Sequence, residues 1–321
     1  MALVERILTN DFSWSKSRDD KFRECLRAYY LHYYGSWSGW EPDASEDIRR
    51  LYILKKLSNR YNWAGSVVHD AIRHSLLAIR FGRAVDPGRI IERAHQLMRQ
   101  DYVHSLHKSY WKEPYRRRFR GLVEHEYTEP VARDEWKQNW ENAKAALGWF
   151  FASRWVPLVR SLRPEQWLEI DSAAFERSNF TLEGVKVFAV PDFAYLGDDG
   201  APVVVDWKTG AVRDAYEDQV LGYVLYIANR YGFAADSIKA RLVFLNSGVE
   251  HAVRVDPPSL EAFQARFRRS VEGMRQLTLD ASANSPRREE DFPMTGDLAL
   301  CARCVFRGPC GRQGGALAPA A

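Results

Sequence analysis

Two acidic residues and one lysine are spaced so that their side chains can meet, in the stretch VPDFAYLGDDGAPVVVDWKTG at 190–210. Successive side chains of a strand point to opposite faces, so Asp206 and Lys208 share one face. The GDDG sequence at 197–200 is typical of a hairpin turn, which returns Asp192 to the end of that strand. The sequence therefore predicts that two carboxylates and one ammonium group converge.

This combination of side chains suits hydrolysis of a phosphodiester. Two carboxylates supply the oxygen ligands that a hard cation such as Mg2+ or Mn2+ prefers. Such a cation polarises a phosphate and lowers the pKa of a bound water, and a nearby lysine can orient that water or stabilise developing negative charge. An isolated Asp-x-Lys sequence usually lies on a solvated surface hairpin. The preceding Pro-Asp pair and the apolar VVV run instead favour an active site here.

The pattern P-D-(x13)-D-x-K resembles the signature of the PD-(D/E)XK nuclease superfamily. That resemblance implies an α/β fold with a restriction-endonuclease-like core, in which helices flank a small mixed sheet. It also implies that the protein is a nuclease. To this core the sequence adds a large helical insertion and a C-terminal cysteine staple. By staple we mean a site in which the C-terminal cysteines and Cys25 bind one metal or cluster and so tie the two ends of the chain together.

The helix predicted after the lysine narrows the resemblance to the RecB-like branch. Gln219 and Tyr223 share one helical face, and similar Q-x3-Y helices lie near the metal and the scissile strand in that branch. The branch also carries a metal-binding histidine on an earlier helix, which the resemblance places at His69. Members often have an acidic residue on the preceding strand, which gives Glu169 a catalytic role here, with Asp171 on the same strand face as the competing candidate.

All four cysteines fit one metal or cluster site. Cys301, Cys304 and Cys310 form a C-x2-C-x5-C sequence, and Cys25 lies in the first predicted helix. Four thiolates suit a tetrahedral metal ion or an iron–sulfur cluster. One cysteine before the core and three after it resemble the iron–sulfur subgroup of RecB-like nucleases, which includes CRISPR-associated exonucleases and AddB-type nucleases. The resemblance implies a structural 4Fe-4S cluster, and Zn2+ held by the same thiolates is the alternative.

A basic and aromatic stretch at 110–120, YWKEPYRRRFR, is the candidate nucleic-acid contact. Cationic side chains can contact phosphates while aromatic rings stack on unpaired bases. A solvated basic face that packs its aromatic side chains inward is the alternative. The candidate binding residues are Trp111, Tyr115, Arg116, Arg117, Arg118 and Arg120.

Apolar periodicity and turn sequences predict the order of the elements. Helices are predicted over 14–34, 63–80, 87–107, 132–161, 214–231 and 258–276, and strands over 166–175, 184–195, 202–208, 240–246 and 249–255. The predicted segments are helices with the first cysteine and His69 (1–80), a helical insertion that suits DNA binding (81–164), the nuclease core (165–280), the iron–sulfur segment (281–311) and a disordered tail (312–321).

Composition is that of an ordinary globular chain, with 321 residues and a net charge of +4. No secretory signal and no membrane segment is expected, so we expect a cytoplasmic protein. The leading hypothesis is a Mg2+- or Mn2+-dependent deoxyribonuclease that favours single-stranded DNA, with exonuclease action as one mode. The alternatives are a DNA-binding or assembly subunit beside a helicase, recombination or defence-system protein, and a zinc-stabilised endonuclease that cuts duplex DNA.

Overall fold

The computed structural model of the protein describes residues 9–112, 121–171, 179–211 and 215–312. The chain forms two compact units, each assembled from separate segments. The terminal unit comprises Met1–Lys55, Thr181–Phe188 and Ala265–Ala321, and the central unit comprises Lys56–Phe180 and Ala189–Gln264. No helix in these described ranges is long and apolar enough to cross a bilayer.

Helices and strands alternate in the manner of a mixed α/β protein. In chain order, helices α1–α11 span Lys16–Glu24, Leu26–Tyr30, Glu46–Leu54, Arg60–Arg80, Pro87–Leu106, Val123–Glu126, Arg133–Ala152, Trp155–Ser161, Ala215–Tyr231, Pro257–Arg275 and Leu298–Arg303. Strands β1–β10 span Ser13–Trp14, Trp167–Ile170, Asn179–Leu182, Val185–Phe188, Phe193–Leu196, Pro202–Lys208, Lys239–Phe244, Val249–Val253, Thr278–Asp280 and Ser285–Pro286.

The central unit is built on one five-stranded mixed sheet in the order β2-β5-β6-β7-β8. Strand β6 is antiparallel to β5 and parallel to β7. One face, which includes Phe193, Val205 and Trp207, shares an apolar core with helices α4, α5, α7 and α8. Helix α9 packs on β6 and β7. The predicted small mixed sheet flanked by helices is therefore confirmed.

Helix α4 carries the candidate histidine and is well defined by its sequence. Asn59 caps its first turn by accepting hydrogen bonds from the backbone N–H groups of Tyr61 and Asn62. Val68, Ile72 and Leu76 are buried on one face, as their spacing predicts. This burial fixes the rotation of the helix and so the direction of its other side chains.

Two predicted helices are each broken by one extended residue. The helix predicted over 14–34 ends at Glu24, because Cys25 is extended (φ −163°, ψ 116°), and it resumes as α2 before a single π-helical turn. The helix predicted over 132–161 breaks at Ser153, whose hydroxyl bonds the carbonyl of Phe150. At Ser153 this bond from a side chain to a backbone carbonyl competes with the helical pattern. After Cys25, the backbone N–H of Arg27 bonds a distant segment of the chain at Pro293.

The strand predicted over 184–195 is two strands, β4 and β5, separated by residues 189–192. Pro191 lies in this break, and proline supplies no N–H group to a β-ladder. Asp192 therefore lies immediately before β5 rather than within a long strand. Part of the strand predicted over 166–175 lies outside the described residues, and its described part is β2.

The terminal unit joins the first and last segments of the chain through buried polar contacts. Trp14 Nε1 donates to Ser270 Oγ over 3.0 Å, and Ser270 Oγ donates to Asp19 Oδ1. Close to Cys25, the backbone N–H of Arg27 donates to the carbonyl of Pro293 over 3.2 Å. The first two contacts join β1 and α1 to α10, and the third joins α2 to the segment that leads to the other three cysteines.

Candidate active site

The hairpin of β5 and β6 brings Asp192 beside the end of β6. Phe193 pairs with Val205 in this antiparallel ladder, so the residue before Phe193 lies next to the residues after Val205. The backbone N–H of Trp207 donates to Asp192 Oδ2 over 2.7 Å. Asp192 and Asp206 are thus neighbours, and Trp207 points into the core on the opposite face.

Lys208 lies between Asp206 and helix α9. Its Nζ atom lies 2.7 Å from Asp206 Oδ2 and donates a hydrogen bond to Gln219 Oε1 over 2.8 Å. Gln219 in turn donates through Nε2 to the hydroxyl of Tyr223, one turn further along the helix. The Q-x3-Y pair predicted from helical spacing therefore reaches the lysine through direct hydrogen bonds.

His69 contacts the same group of side chains from helix α4. Its Nδ1 atom and Asp192 Oδ1 are 3.0 Å apart. One turn earlier, α4 approaches β6 closely, because a Cβ atom on Gly65 would lie 3.0 Å from Thr209 Oγ1. A glycine at this position lets the backbone that carries His69 lie against the residue that follows Lys208.

The pKa values of the two carboxylates are shifted in opposite directions. Burial raises the pKa of Asp206, and the negative charge of Asp192 raises it further against the opposing effect of Lys208. Burial also acts to raise the pKa of Asp192, but the charge and hydrogen bond of His69 and the N–H of Trp207 outweigh it and lower that pKa. Burial opposes protonation of His69, but Asp192 reverses this effect and raises its pKa. Without a bound cation, His69 and Lys208 supply the compensating positive charge.

The donor set fits a divalent cation bound mainly through two carboxylates. Asp206 Oδ2 is buried and accepts no hydrogen bond of good geometry, although Lys208 is its ion-pair partner. Among the described residues, no three His, Cys, Asp or Glu side chains are arranged to hold a metal ion. Mg2+ commonly binds through one or two carboxylates and completes its shell with water and substrate phosphates. Asp192 and Asp206 offer this kind of site.

Glu169 is tied to helix α9. Its Oε2 atom accepts a hydrogen bond from the hydroxyl of Tyr226 over 2.9 Å and lies 3.6 Å from Nε of Arg230. Asp171 lies nearer the carboxylates, because its backbone N–H donates to the carbonyl of Asp192 over 3.0 Å. Burial and the charge of Asp192 raise the pKa of Asp171. The geometry brings the competing candidate, Asp171, next to the site.

Two further side chains at this end of the sheet were not selected from the sequence. The ring of Tyr216 lies 4.4 Å from Lys208 Nζ, and Asn246 donates through Nδ2 to the carbonyl of Thr209 over 2.7 Å. Tyr216 could have been found from its spacing, because it precedes Gln219 by three residues on one helix. Asn246 had no such signal, because its contact depends on the parallel pairing of β6 with β7.

The four cysteines are free thiols grouped in the terminal unit. Burial and the charges of Cys304, Cys25 and Cys301 together raise the pKa of Cys310 to about 11, against the opposing charge of Arg27. The Sγ atom of Cys25 accepts a hydrogen bond from the backbone N–H of Thr295 over 3.4 Å. The extended backbone at Cys25 thus faces the segment that leads to the other cysteines.

Four free thiols in one unit suit either a single tetrahedral ion or an iron–sulfur cluster. A single Zn2+ takes all of its sulfur ligands about 2.3 Å from one point. An iron–sulfur cluster instead takes one thiolate at each of several irons. Binding would require the thiols to lose their protons.

Most of the predicted nucleic-acid contact lies outside the described residues, namely Tyr115, Arg116, Arg117, Arg118 and Arg120. Trp111 is described, and its Nε1 atom donates to Glu126 Oε2 over 2.9 Å. Tyr110 donates to the same carboxylate oxygen over 2.6 Å. Trp111 is therefore anchored along one edge of its indole ring.

A mixed sheet whose hairpin brings a buried carboxylate, a half-buried carboxylate and a lysine together defines a protein of the PD-(D/E)XK class. The sequence matches the PD-(D/E)XK nuclease superfamily over residues 13–311. The chain therefore belongs to that superfamily. The match spans the proposed catalytic residues, the helical insertion at 81–164 and all four cysteines. No curated protein matches the chain.

Proposed function

We propose that the protein is a Mg2+- or Mn2+-dependent deoxyribonuclease that hydrolyses phosphodiester bonds. The observation that carries this proposal is the convergence of Asp192, the buried Asp206 and Lys208, with Lys208 joined to Gln219 by a hydrogen bond. Membership of the nuclease superfamily supports the same reaction. Placing the buried Asp206 beside the half-buried Asp192 costs free energy that His69 and Lys208 must offset, so a purely structural role for the pair is disfavoured.

Some residues of the site would supply charge, and others would orient those charged groups. Asp192 and Asp206 would hold the cation, which when bound supplies Lewis-acid polarisation of the phosphate and a more acidic water. Lys208 places its ammonium group beside them, where it can stabilise negative charge that develops on the phosphate. Gln219 fixes the direction of that ammonium group, and Tyr223 fixes Gln219.

His69 is proposed as a further donor to the cation. The Nδ1 atom of His69 contacts Asp192. His69 would therefore bind the cation either through Nδ1, after this contact is broken, or through Nε2. The raised pKa of His69 means that a proton must leave before either nitrogen acts as a ligand. Glu169 is proposed to act through helix α9, because Tyr226 and Arg230 engage its carboxylate.

The finer assignment is to the RecB-like, iron–sulfur branch of the superfamily. Four free thiols grouped in one unit support a thiolate-bound metal or cluster. We propose a 4Fe-4S cluster rather than Zn2+, because the order and spacing of the cysteines resemble that branch. We propose that the cluster is structural, since Cys25 and the C-terminal cysteines come from opposite ends of the chain. Single-stranded DNA is the proposed substrate, and cleavage from an end is the proposed mode.

Digestion of end-labelled DNA tests the proposal and its mode together. Linear and circular substrates, each single- and double-stranded, are incubated with the protein and Mg2+ or Mn2+. We expect the linear single strand to be degraded and circular DNA to survive. Cleavage of circles would replace the exonuclease mode with an endonuclease mode. Intact DNA in every sample, with either cation, would refute the nuclease proposal.

A further inference from the structure

The ammonium group of Lys208 has an aromatic neighbour. The ring centroid of Tyr216 lies 4.4 Å from Lys208 Nζ, well within the distance at which a cation is attracted to a ring face. The side chain of Lys208 is only 13% exposed. Water therefore screens this attraction weakly, and the contact is at the stronger end of its range.

Three contacts, one from β6 and two from α9, surround this nitrogen. Asp206 Oδ2 on β6 lies 2.7 Å away, and Gln219 Oε1 on α9 accepts its hydrogen bond over 2.8 Å. Tyr216, in the first turn of α9, supplies the third contact, and it shares a helical face with Gln219. A lysine is a flexible chain that ends in a point charge, so one hydrogen bond alone would not fix its position.

Tyr216 is itself held in place. Its ring lies 6.3 Å from the ring of Phe244, measured between centroids, and Phe244 is buried at the end of β7. Phe244 also pairs with Lys208 across the parallel ladder of β6 and β7. The sheet residue that faces Lys208 thus supports the ring that contacts the ammonium group.

We propose that Tyr216 is a positioning residue that holds the Lys208 ammonium group in the catalytic arrangement through its ring face. This inference rests on the proposed function, because the position of Lys208 matters to rate only if the site hydrolyses phosphodiesters. A cation bound to the carboxylate of Asp206 would take away the ion-pair partner of Lys208. Gln219 and Tyr216 would then remain to hold the nitrogen in place.

The kinetic test compares Tyr216→Phe with Tyr216→Leu. Phenylalanine keeps the ring face and leucine removes it. We expect Tyr216→Phe to stay within about twofold of the parent, and Tyr216→Leu to lower kcat about tenfold with KM for DNA unchanged. Phe81→Leu is the matched control, since it removes an exposed ring 6.0 Å from the guanidinium of Arg83 in the same unit.

A second measurement is independent of activity. A methylene next to an ammonium group over a ring face is shielded, so the Lys208 ε-CH2 NMR signal should lie upfield of other lysines. Lys208→Arg assigns the signal. We expect the upfield shift to persist in Tyr216→Phe and to vanish in Tyr216→Leu.

The outcomes separate this inference from the proposed function. An unshifted Lys208 signal in the parent protein would overturn the inference whatever the activity. Equal loss of kcat in both Tyr216 variants, a change confined to KM, or no change in Tyr216→Leu would also overturn it. A parent protein with the shifted signal but no nuclease activity would refute the proposed function and leave the contact established.

Discussion

The backbone N–H of Trp207 donates to Asp192 Oδ2 over 2.7 Å, which joins the start of β5 to the end of β6 through a side chain. A short bond from an N–H to a carboxylate is stronger than one between neutral groups. It holds Asp192 beside Asp206 although Asp192 lies outside the regular ladder. The position of one carboxylate therefore depends on the backbone between the other carboxylate and Lys208.

Gln219→Leu should lower kcat about tenfold, because it removes the amide oxygen that accepts a hydrogen bond from the charged ammonium group of Lys208. Lys208 loses its hydrogen bond at 2.8 Å but keeps its contact with Asp206. Steady-state cleavage of labelled DNA measures the effect. Gln138→Leu, which removes an exposed glutamine on α7 that bonds Asn142, is the matched control. Equal rates for the two variants would contradict the orienting role of Gln219.

Glu169→Gln should keep activity within about twofold, because an amide oxygen can still accept the hydrogen bond from Tyr226. Tyr226→Phe should lower the free energy of unfolding by about 1–2 kcal/mol, because it removes a partner of the carboxylate of Glu169. Denaturant titration measures stability, and DNA cleavage measures activity. A loss of activity of about 100-fold in Glu169→Gln, with stability unchanged, would instead make Glu169 catalytic.

His32 should make the protein less stable in acid. Burial, together with the positive charges of Lys21, Lys55 and Arg18, lowers the pKa of His32 to about 3. An unfolded histidine titrates near 6.5, so between pH 6.5 and 3 the unfolded state binds the additional proton. Stability therefore falls as pH falls through this window, by about 2 kcal/mol at pH 5 from this group.

Chemical denaturation of His32→Gln at pH 7 and pH 5 measures this contribution. The variant should lose less stability between the two pH values than the parent. His107→Gln, at an exposed position that ends α5, serves as the control and should behave like the parent. A His32→Gln protein with the same loss as the parent would show that other groups cause the acid sensitivity.

The four cysteines should give a brown protein with broad visible absorbance and bound iron. Cys25→Ser should lose the colour and about 5 kcal/mol of stability, by analogy with opening a cross-link across a long loop. Metal analysis and thermal unfolding measure both effects, with Glu24→Ser at the exposed adjacent position as control. One equivalent of zinc without iron would favour the alternative cofactor, and normal stability in Cys25→Ser would contradict the staple.

Local patterns were enough to predict the centre of the site. The β5–β6 turn and the Q-x3-Y helix are set by residues close in sequence, and the predicted helix over 214–231 corresponds to α9, Ala215–Tyr231. Both patterns depend only on strand and helix periodicity. This is why Lys208, Asp206 and Gln219 could be grouped from the sequence.

Long-range contacts account for what local patterns missed. The break at Cys25 accompanies the bond from Arg27 to Pro293, far along the chain. The partner of Glu169 depends on which face of α9 meets β2, which no local pattern specifies. The contact of Asn246 with Thr209 likewise requires the parallel pairing of two strands that are distant in sequence.

Single-turnover cleavage of labelled single-stranded DNA by Asp206→Asn and Lys208→Met tests the central claim most directly. DNA binding is measured in parallel by fluorescence anisotropy. We predict that each variant cleaves at least about 100-fold more slowly than the parent while it still binds DNA. Cleavage by either variant at the parent's rate would contradict the assignment of the active site to Asp206 and Lys208.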